Sequence, residues 1–343
     1  MSAVTVAGPG RESAGSPPVE SDALSVRDLT TTFHSRGGAV RAVRGVTFSI
    51  RAGETFVLLG ESGSGKSVTA RSILRLYGRN AQIGGQVLLD GRNLLALDTR
   101  QMRDVRGREL ALVPQDPNSS LDPLRRVGAQ LSEVLRLHGD LDRRAAQARA
   151  LELLGLVGIP DPPRVARSFP HELSGGMRQR IVIAIAVSCG PRVLIADEPT
   201  TALDVTVQSQ ILALFADLQR QLRMALLLVT HDVSVAADIA DTVGVMYAGR
   251  IVEHGPADEV LHRSRHPYTE ALLDALPTPT TARGALKAIP GAPPLAGTAF
   301  DGCSFAERCP LAQDSCRIAE PELVAVAAGH HAACPVRNPE VSP

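Results

Sequence analysis

Short runs of consecutive apolar residues recur along the chain, and each is followed directly by glycine or polar residues. The clearest runs cover residues 55–59, 193–196 and 226–229. Because these runs are continuous rather than alternating, they predict strands that are buried on both faces, as in a mostly parallel sheet covered by helices. The polar residues follow the carboxyl ends of the strands, where open α/β sheets bind ligands. The pattern therefore predicts an α/β fold with a ligand site at one sheet edge.

Two further segments predict antiparallel strand pairs. Residues 86–89 run into the tight-turn pair Asp90-Gly91, and residues 243–253 fold back at Ala248-Gly249. The expected fold therefore combines a mostly parallel core with an antiparallel β subdomain.

Helical periodicity dominates residues 117–190. The i, i+4, i+7, i+8 spacing of an amphipathic helix is followed by Val127, Leu131, Val134 and Leu135. Residues 145–157 predict a second helix, and the apolar run 181–189 predicts a buried one. We expect a helical lobe, over about residues 117–190, inserted into the sheet domain.

Composition changes near both ends of the 343-residue chain. The first 23 residues are rich in Gly, Pro, Ser and Ala and lack the apolar run of a secretory signal, which predicts a disordered tail. From about residue 276, prolines punctuate a loop-rich segment that holds four of the five cysteines. We therefore divide the chain into a tail (1–23), a main domain (24–275) and a C-terminal extension (276–343).

The charge balance and hydropathy argue against a nucleic-acid-binding surface and against a membrane-spanning chain. Lys+Arg and Asp+Glu are equal at 36 each, so net charge gives no reason to expect nucleic-acid binding. No run of about 18 apolar residues occurs, so the chain itself is not expected to span a membrane.

Residues 60–67 fit the phosphate-binding pattern G-x-x-x-x-G-K-[ST]. The motif follows a predicted strand and precedes a helix expected from Val68 to about Tyr77. Glycines let backbone N–H groups converge on phosphate oxygens, while Lys66 reaches the β- and γ-phosphates and Ser67 ligates Mg²⁺. A Gly-rich turn that fits the pattern by chance would not explain the predicted strand before the motif and the predicted helix after it. The predicted nucleotide-binding residues are Gly60, Glu61, Ser62, Gly63, Ser64, Gly65, Lys66, Ser67 and Val68.

Polar residues at three other strand ends predict the rest of a nucleotide-hydrolysing site. Asp197 suits a Mg²⁺-binding role, and Glu198 is placed to polarise an attacking water. His231 should reach the same edge and contact the γ-phosphate or the water, and Gln115 could sense Mg²⁺ or water without adding charge. Each has a structural alternative: turn-capping acids, a strand-end histidine and a solvated loop glutamine.

A Ser-Gly-Gly helix start at residues 173–179 lies between the phosphate loop and the acidic pair. With these motifs in this order, the chain resembles the ATP-binding subunit of an ABC transporter over about residues 25–270. The resemblance implies that Gln115 is the Q-loop residue, that His231 is the switch histidine and that Phe33 stacks on adenine. In that family two copies close face to face, and residues of one copy contact the ATP that is bound to the other. The resemblance implies that the residues with this role are Ser174, Gly175, Gly176, Gln179 and Asp204.

Finer motifs resemble the oligopeptide/dipeptide importer subfamily. They lie at residues 114–123, 204–208, 266–269 and 289–294, together with the cysteine-bearing tail. The resemblance implies ATP and Mg²⁺, a second ATPase subunit (often a different chain), two membrane permeases, an external solute-binding protein and a place at the cytoplasmic face of the membrane. Nickel importers share much of this pattern. A soluble ABC-type ATPase acting on DNA or ribosomes and a non-hydrolysing regulatory module are the alternatives.

The tail cysteines do not follow the paired C-x-x-C spacing of zinc ribbons. Four thiolates from irregular loops can still hold a [4Fe–4S] cluster, and zinc or free thiols remain the alternatives. The candidate ligands are Cys303, Cys309, Cys316 and Cys334. His330 and His331 are substitute candidates with solvent exposure as the simpler expectation, and Cys189 is expected in the core.

Overall fold

A computed structural model describes residues 22–139, 141–201, 203–275 and 288–339. Residues 1–21 of the predicted tail and residues 276–287 at the predicted domain boundary lie outside this part of the chain. Asp22 and Ala23, which were assigned to the tail, already belong to the first strand: Asp22 pairs with Arg51 in the sheet, and Ala23 is buried.

Twelve strands occur in the described residues, and they are β1 (Asp22–Ser35), β2 (Gly38–Arg51), β3 (Thr55–Leu59), β4 (Ala81–Leu89), β5 (Arg92–Asn93), β6 (Leu110–Val113), β7 (Val193–Asp197), β8 (Ala225–Thr230), β9 (Thr242–Tyr247), β10 (Arg250–Pro256), β11 (Val324–Ala327) and β12 (His330–Ala332). The same ranges contain ten α-helices, which are α1 (Lys66–Ile73), α2 (Thr99–Val105), α3 (Val127–His138), α4 (Arg143–Leu156), α5 (Pro162–Arg167), α6 (Gly175–Val187), α7 (Val205–Leu222), α8 (Val233–Ile239), α9 (Ala257–His262) and α10 (Pro267–Asp274).

The larger sheet has the order β11-β12-β10-β9-β3-β8-β7-β6. Its pairs from β9 through β6 are parallel, and β10, β12 and β11 extend it in antiparallel fashion. Alternate residues of β3 face two different cores: Phe56 and Leu58 point to one, and Val57 and Leu59 to the other. Burial on both faces explains the continuous apolar runs and confirms the mostly parallel core.

The smaller sheet has the order β2-β1-β4-β5 and is antiparallel throughout. Both predicted hairpins form. Asp90 and Gly91 turn with positive φ between β4 and β5, and Ala248 and Gly249 do so between β9 and β10. The second hairpin edges the larger sheet, whereas the first belongs to the antiparallel β subdomain.

The predicted helical lobe contains α3 to α6 and lies between β6 and β7 in the chain. Val127, Leu131 and Leu135 of α3 are buried, as their spacing predicts. Burying each side chain contributes about 1.5–3 kcal/mol. The second predicted helix is α4, which begins two residues earlier than expected because Asp142 caps it through Ala145 N.

Both predicted ends of the helix after the phosphate loop are wrong, since α1 begins at Lys66 rather than at Val68. The helix after the phosphate loop ends at Ile73 rather than near Tyr77. Arg75 adopts a left-handed backbone with φ 52°, and Leu76 N donates to Arg71 O at 3.0 Å, which closes the helix. The Arg75 guanidinium then donates to Leu94 O and Leu97 O, contacts that no local pattern reveals.

The C-terminal extension packs on the main domain rather than standing apart from it. β12 pairs with β10, placing His331 opposite His254. The fully buried His330 Nε2 lies 2.8 Å from Glu253 Oε1. Among the described residues, no helix has both the length and the apolar character needed to cross a bilayer.

Candidate functional site

The phosphate loop connects β3 to α1 and depends on glycine at two close approaches. Gly60 has φ 154°, and an added Cβ would lie 2.3 Å from Met246 O. Gly65 has φ 106°, and an added Cβ would lie 2.7 Å from Ala42 O. Any other side chain would displace backbone, so the two glycines fix the loop against β2 and β9. The N-terminus of α1 then presents its unpaired N–H groups to an anion.

Lys66 is the first residue of α1 and is 4% exposed. Its Nζ donates to Gly60 O at 2.7 Å and to Glu61 O at 2.8 Å, so the ammonium lies in the curl of the loop. Burial lowers the pKa of Lys66 to about 8, and the carboxylates of Glu198 and Asp197 partly oppose that shift. A polyphosphate bound in the curl would supply the missing negative charge.

The predicted magnesium-binding pair comes together at the end of β7. Ser67 Oγ donates to Asp197 Oδ1 at 2.6 Å. The other oxygen, Asp197 Oδ2, is buried without a hydrogen bond, and Arg71 Nη2 stands 3.4 Å away as its ionic partner. A buried carboxylate oxygen that lacks a hydrogen bond fits Mg²⁺, which prefers hard oxygen ligands.

Glu198 is the point at which three strand ends converge. Its Oε2 accepts hydrogen bonds from Gln115 Nε2 at 3.2 Å and Thr201 Oγ1 at 3.1 Å, and His231 Nδ1 lies 3.4 Å away. Gln115 follows β6, Glu198 follows β7 and His231 follows β8. Glu198 has φ 48°, a strained conformation of the kind that clusters at functional sites.

Thr201 was missed by the sequence reasoning. The hydroxyl three residues after Glu198 in Asp-Glu-Pro-Thr-Thr was the signal that could have found it. Gln115 was predicted to sense Mg²⁺ or water, and its observed contact is with the carboxylate of Glu198. Ala202, which lies in the segment 201–204 that resembles the D-loop of ABC ATPases, lies outside the described residues.

The Ser-Gly-Gly helix start lies at the N-terminus of α6. Ser174 is exposed, and its Oγ accepts from Met177 N at 3.3 Å, as an N-cap does. Gly175 and Gly176 open the helix; a Cβ on Gly176 would meet Val207 Cγ1 at 2.9 Å. The helix therefore begins with an exposed serine cap and two half-buried glycines that carry no side chains, which suits contact with an anion outside this chain.

Two residues assigned to the partner's ATP differ in their surroundings. Asp204 is exposed and caps α7, with its Oδ1 accepting from Val207 N at 3.0 Å. Gln179 is 1% exposed, and its Nε2 has no hydrogen-bond partner. The burial of Gln179 does not support a direct contact with a nucleotide on another chain.

The remaining predicted nucleotide contacts lie around the same loop. Ser62 and Gly63 are exposed, Val68 is half-buried, and Ser64 is buried with its Oγ unpaired. Phe33 is half-buried on β1, with its ring edge-to-face with Tyr77 at 4.9 Å between centroids. The contact of Tyr77 with Phe33 was not predicted, because Tyr77 was expected to lie at the end of the helix that follows the phosphate loop.

The four tail cysteines are free thiols within electrostatic reach of one another. Cys303 N donates to Cys316 O at 2.8 Å. Burial raises the pKa of Cys303 to about 11, and the other three thiols add to that shift. In the part of the chain that the structure describes, no group of three or more His, Cys, Asp or Glu side chains is arranged to hold a metal ion.

Two expectations for single residues change. The expectation that His330 is solvent-exposed is wrong, because the side chain is fully buried against Glu253. Cys189 is half-buried rather than fully in the core, with its Sγ 3.7 Å from Ser188 Oγ.

Comparisons with known proteins agree with the motifs and the geometry. The ABC transporter family profile matches residues 43–201, and the profile for the oligopeptide/dipeptide transporter C-terminal region matches residues 252–316. A probable peptide ABC transporter ATP-binding protein of Sinorhizobium fredii is 49% identical over 91% of this chain and 94% of its own length. The oligopeptide transport ATP-binding protein OppD of Bacillus subtilis is 47% identical over 90% of this chain and 87% of its own length.

Among solved structures, the dimeric ATP-binding cassette MJ0796 in a post-hydrolysis state with ADP and Pi is 27% identical, with a TM-score of 0.61. That match covers 68% of this chain and 98% of the cassette. The chain belongs to the ATP-binding proteins of ABC transporters, in the group that carries the oligopeptide/dipeptide transporter C-terminal region.

Proposed function

We propose that this chain binds and hydrolyses ATP to drive the import of di- or oligopeptides through a membrane transporter. The convergence of Gln115, Thr201 and His231 on the carboxylate of Glu198, beside an intact phosphate loop, is the observation that supports hydrolysis most directly. Relatives named for peptide and oligopeptide transport support the choice of solute. A nickel or other small-solute importer is the alternative.

The geometry suggests how the residues divide the work. Lys66 and the N–H groups of the loop would bind the β- and γ-phosphates, and Ser67 and Asp197 would hold Mg²⁺, which would supply positive charge to the phosphates. Glu198 accepts the proton of the attacking water. His231 and Gln115 orient Glu198, since both contact its Oε2.

We further propose that each ATP lies between two ATPase subunits. The exposed cap Ser174 and the two glycines that begin α6 offer an anion a second helix N-terminus, separate from the one that follows the phosphate loop. The similar cassette of known structure is dimeric and carries ADP and Pi. The partner is a second ATPase subunit, either a copy of this chain or a paralogue.

The permeases are proposed to contact the helical lobe, which holds this chain at the cytoplasmic face of the membrane. A basic cavity of about 700 Å³ opens between α3, α4 and α5. Its lining carries Arg125, Arg126, Arg136, Arg143 and Arg167, against the single carboxylate of Glu133. Such a surface complements an acidic cytoplasmic segment of a permease.

A separate part of the proposal concerns the four tail cysteines. Their grouping in one loop-rich segment supports a shared role as ligands of an iron–sulfur cluster, although the described residues show no arrangement of three or more such side chains around a metal position; zinc and free thiols are the alternatives. Anaerobic purification, a visible absorption spectrum and iron and zinc analysis would distinguish the three.

Reconstitution in liposomes tests the proposed transport function. The chain is purified from detergent-solubilised membranes with its bound partners, and uptake of labelled dipeptides, longer peptides and Ni²⁺ is measured with and without ATP. Peptide uptake that requires ATP supports the proposal. Selective Ni²⁺ uptake would favour the nickel alternative, and purification without any permease would favour a soluble ABC-type ATPase.

A further inference from the structure

An arginine of the C-terminal extension reaches the phosphate loop. Arg308 Nη1 donates to Glu61 Oε2 at 2.7 Å, and Arg308 Nη2 donates to Glu61 Oε1 at 3.0 Å. The Arg308 side chain is 6% exposed and that of Glu61 is 22% exposed. A two-point, charge-assisted contact with little solvent around it fixes both the position and the orientation of the carboxylate.

The guanidinium is itself held in place. Arg308 Nε donates to Pro290 O at 2.8 Å, within the extension, and Nη1 also lies 3.3 Å from Tyr247 Oη on β9. Arg308 therefore contacts the extension, the central sheet and the phosphate loop at once. A merely flexible surface arginine would not be restrained from three sides.

Glu61 is restrained at every polar group of its residue. Its N–H donates to Tyr268 Oη at 2.9 Å, and its carbonyl accepts from Lys66 Nζ at 2.8 Å. The tyrosine is fully buried on α10. The peptide that Arg308 positions through the side chain is thus the one that Lys66 contacts.

The extension also supports the far side of the loop. Glu320 forms salt bridges with Arg44 at 2.7 Å and Arg250 at 2.9 Å. Arg44 N donates to Gly249 O, and Gly249 N donates to Ser64 O, each at 2.8 Å. Glu320 therefore connects to the loop through intermediate residues, whereas Arg308 contacts the loop residue Glu61 directly.

We infer that Arg308 is a positioning residue for ATP binding, which holds the phosphate loop in its nucleotide-binding shape and neutralises the Glu61 carboxylate beside the phosphates. The inference rests on the ATP site and not on the nature of the transported solute. It gives the extension a role in nucleotide affinity that the cysteines alone do not explain.

Arg308 both positions the phosphate loop and neutralises Glu61, so substitutions at the two partners test whether they act as a pair. Replacing Arg308 with glutamine leaves the Glu61 carboxylate uncompensated next to the triphosphate, so ATP should bind more weakly. Replacing Glu61 with glutamine in the same chain removes that charge. The second substitution should therefore restore much of the affinity that the first one loses, as expected for residues that act as a pair.

The experiment titrates the purified full chain with trinitrophenyl-ATP. Arg308→Gln is expected to raise the dissociation constant about tenfold, and the Arg308→Gln/Glu61→Gln double variant to return within about threefold of the parent. Arg337→Gln is the matched control, because Arg337 also joins the extension to the main domain, through an exposed contact with Glu270. That control should bind as the parent does.

Three results would overturn the inference. They are parental affinity in Arg308→Gln, no recovery in the double variant, and an equal loss in the Arg337→Gln control. If Arg308→Gln does not fold, Arg308→Lys keeps the charge without the two-point contact and should raise the dissociation constant about threefold. Parental affinity in the folded lysine variant would then overturn it. Since no transport is measured, these outcomes leave the peptide proposal untouched.

Discussion

Glu198→Gln separates ATP binding from ATP hydrolysis. The amide has nearly the shape of the carboxylate, and its oxygen can still accept from Thr201 Oγ1. The hydrogen bonds of Lys66 within the phosphate loop and of Ser67 with Asp197 do not involve the Glu198 side chain. The substitution therefore removes the negative charge and the basicity of one side chain while leaving the binding groups in place.

The size of the effect follows from the role of the carboxylate. A positioned general base contributes about 10²–10⁴-fold in rate, which corresponds to about 3–5 kcal/mol of activation free energy. His231 and Gln115 lie 3.4 Å and 3.2 Å from Glu198 Oε2, and in the proposed mechanism they orient the carboxylate rather than accept the proton. Hydrolysis should fall by about that factor, and nucleotide affinity should change by less than about threefold.

The assay is phosphate release from the assembled complex with Mg²⁺, alongside nucleotide binding to the same preparation. Glu109→Gln is the control, because Glu109 is a carboxylate in an exposed ion pair with Arg92, outside the predicted site. The control should hydrolyse ATP at the parental rate. Steady turnover close to the parent in Glu198→Gln would remove Glu198 from the role of base.

Three shorter predictions test other parts of the site and the fold. Burial lowers the pKa of Lys66 to about 8, and bound phosphates should raise it again, so ATP binding near pH 9 should be accompanied by uptake of a proton. Calorimetry in buffers with different heats of ionisation measures this uptake, and its absence would contradict the prediction. Ser67→Ala should raise the Mg²⁺ concentration for half-maximal hydrolysis about tenfold, and an unchanged titration would remove Ser67 as a ligand. Burial lowers the pKa of His254 to about 4. Between about pH 6.5 and pH 4, His254 is therefore protonated in the unfolded chain and neutral in the folded chain. The free energy of unfolding should therefore fall as pH drops from about 6.5 to 4, by at most about 3 kcal/mol from this group. Urea unfolding at several pH values measures this fall, which should be smaller in His254→Phe. An identical dependence of the unfolding free energy on pH in the variant would contradict the prediction.

The central sheet and the site residues at its edge were largely predictable from the sequence. Buried parallel strands leave continuous apolar runs, and the residues that follow them must meet at one edge. That geometry is why Glu198 and His231 could be placed together from positions 33 residues apart, and the structure brings them within 3.4 Å. Their catalytic roles remain a proposal.

Contacts made across long stretches of sequence were not predictable. Arg308 and Glu61 lie 247 positions apart, and neither residue has a local pattern that names the other. The same holds for His330, which polarity alone predicts at the surface. Its partner Glu253 lies 77 positions away and provides the hydrogen bond that makes burial of both groups tolerable.

The account depends most on the claim that a second ATPase subunit completes each site. The direct measurement is the hydrolysis rate per chain as the second subunit is titrated from dilute to saturating concentration, for the parent and for Ser174→Arg. The account predicts a parental rate that rises steeply with the second subunit and a much lower plateau for Ser174→Arg. A rate per chain that is full and constant in dilute, monomeric protein, with Ser174 replaced, would contradict it.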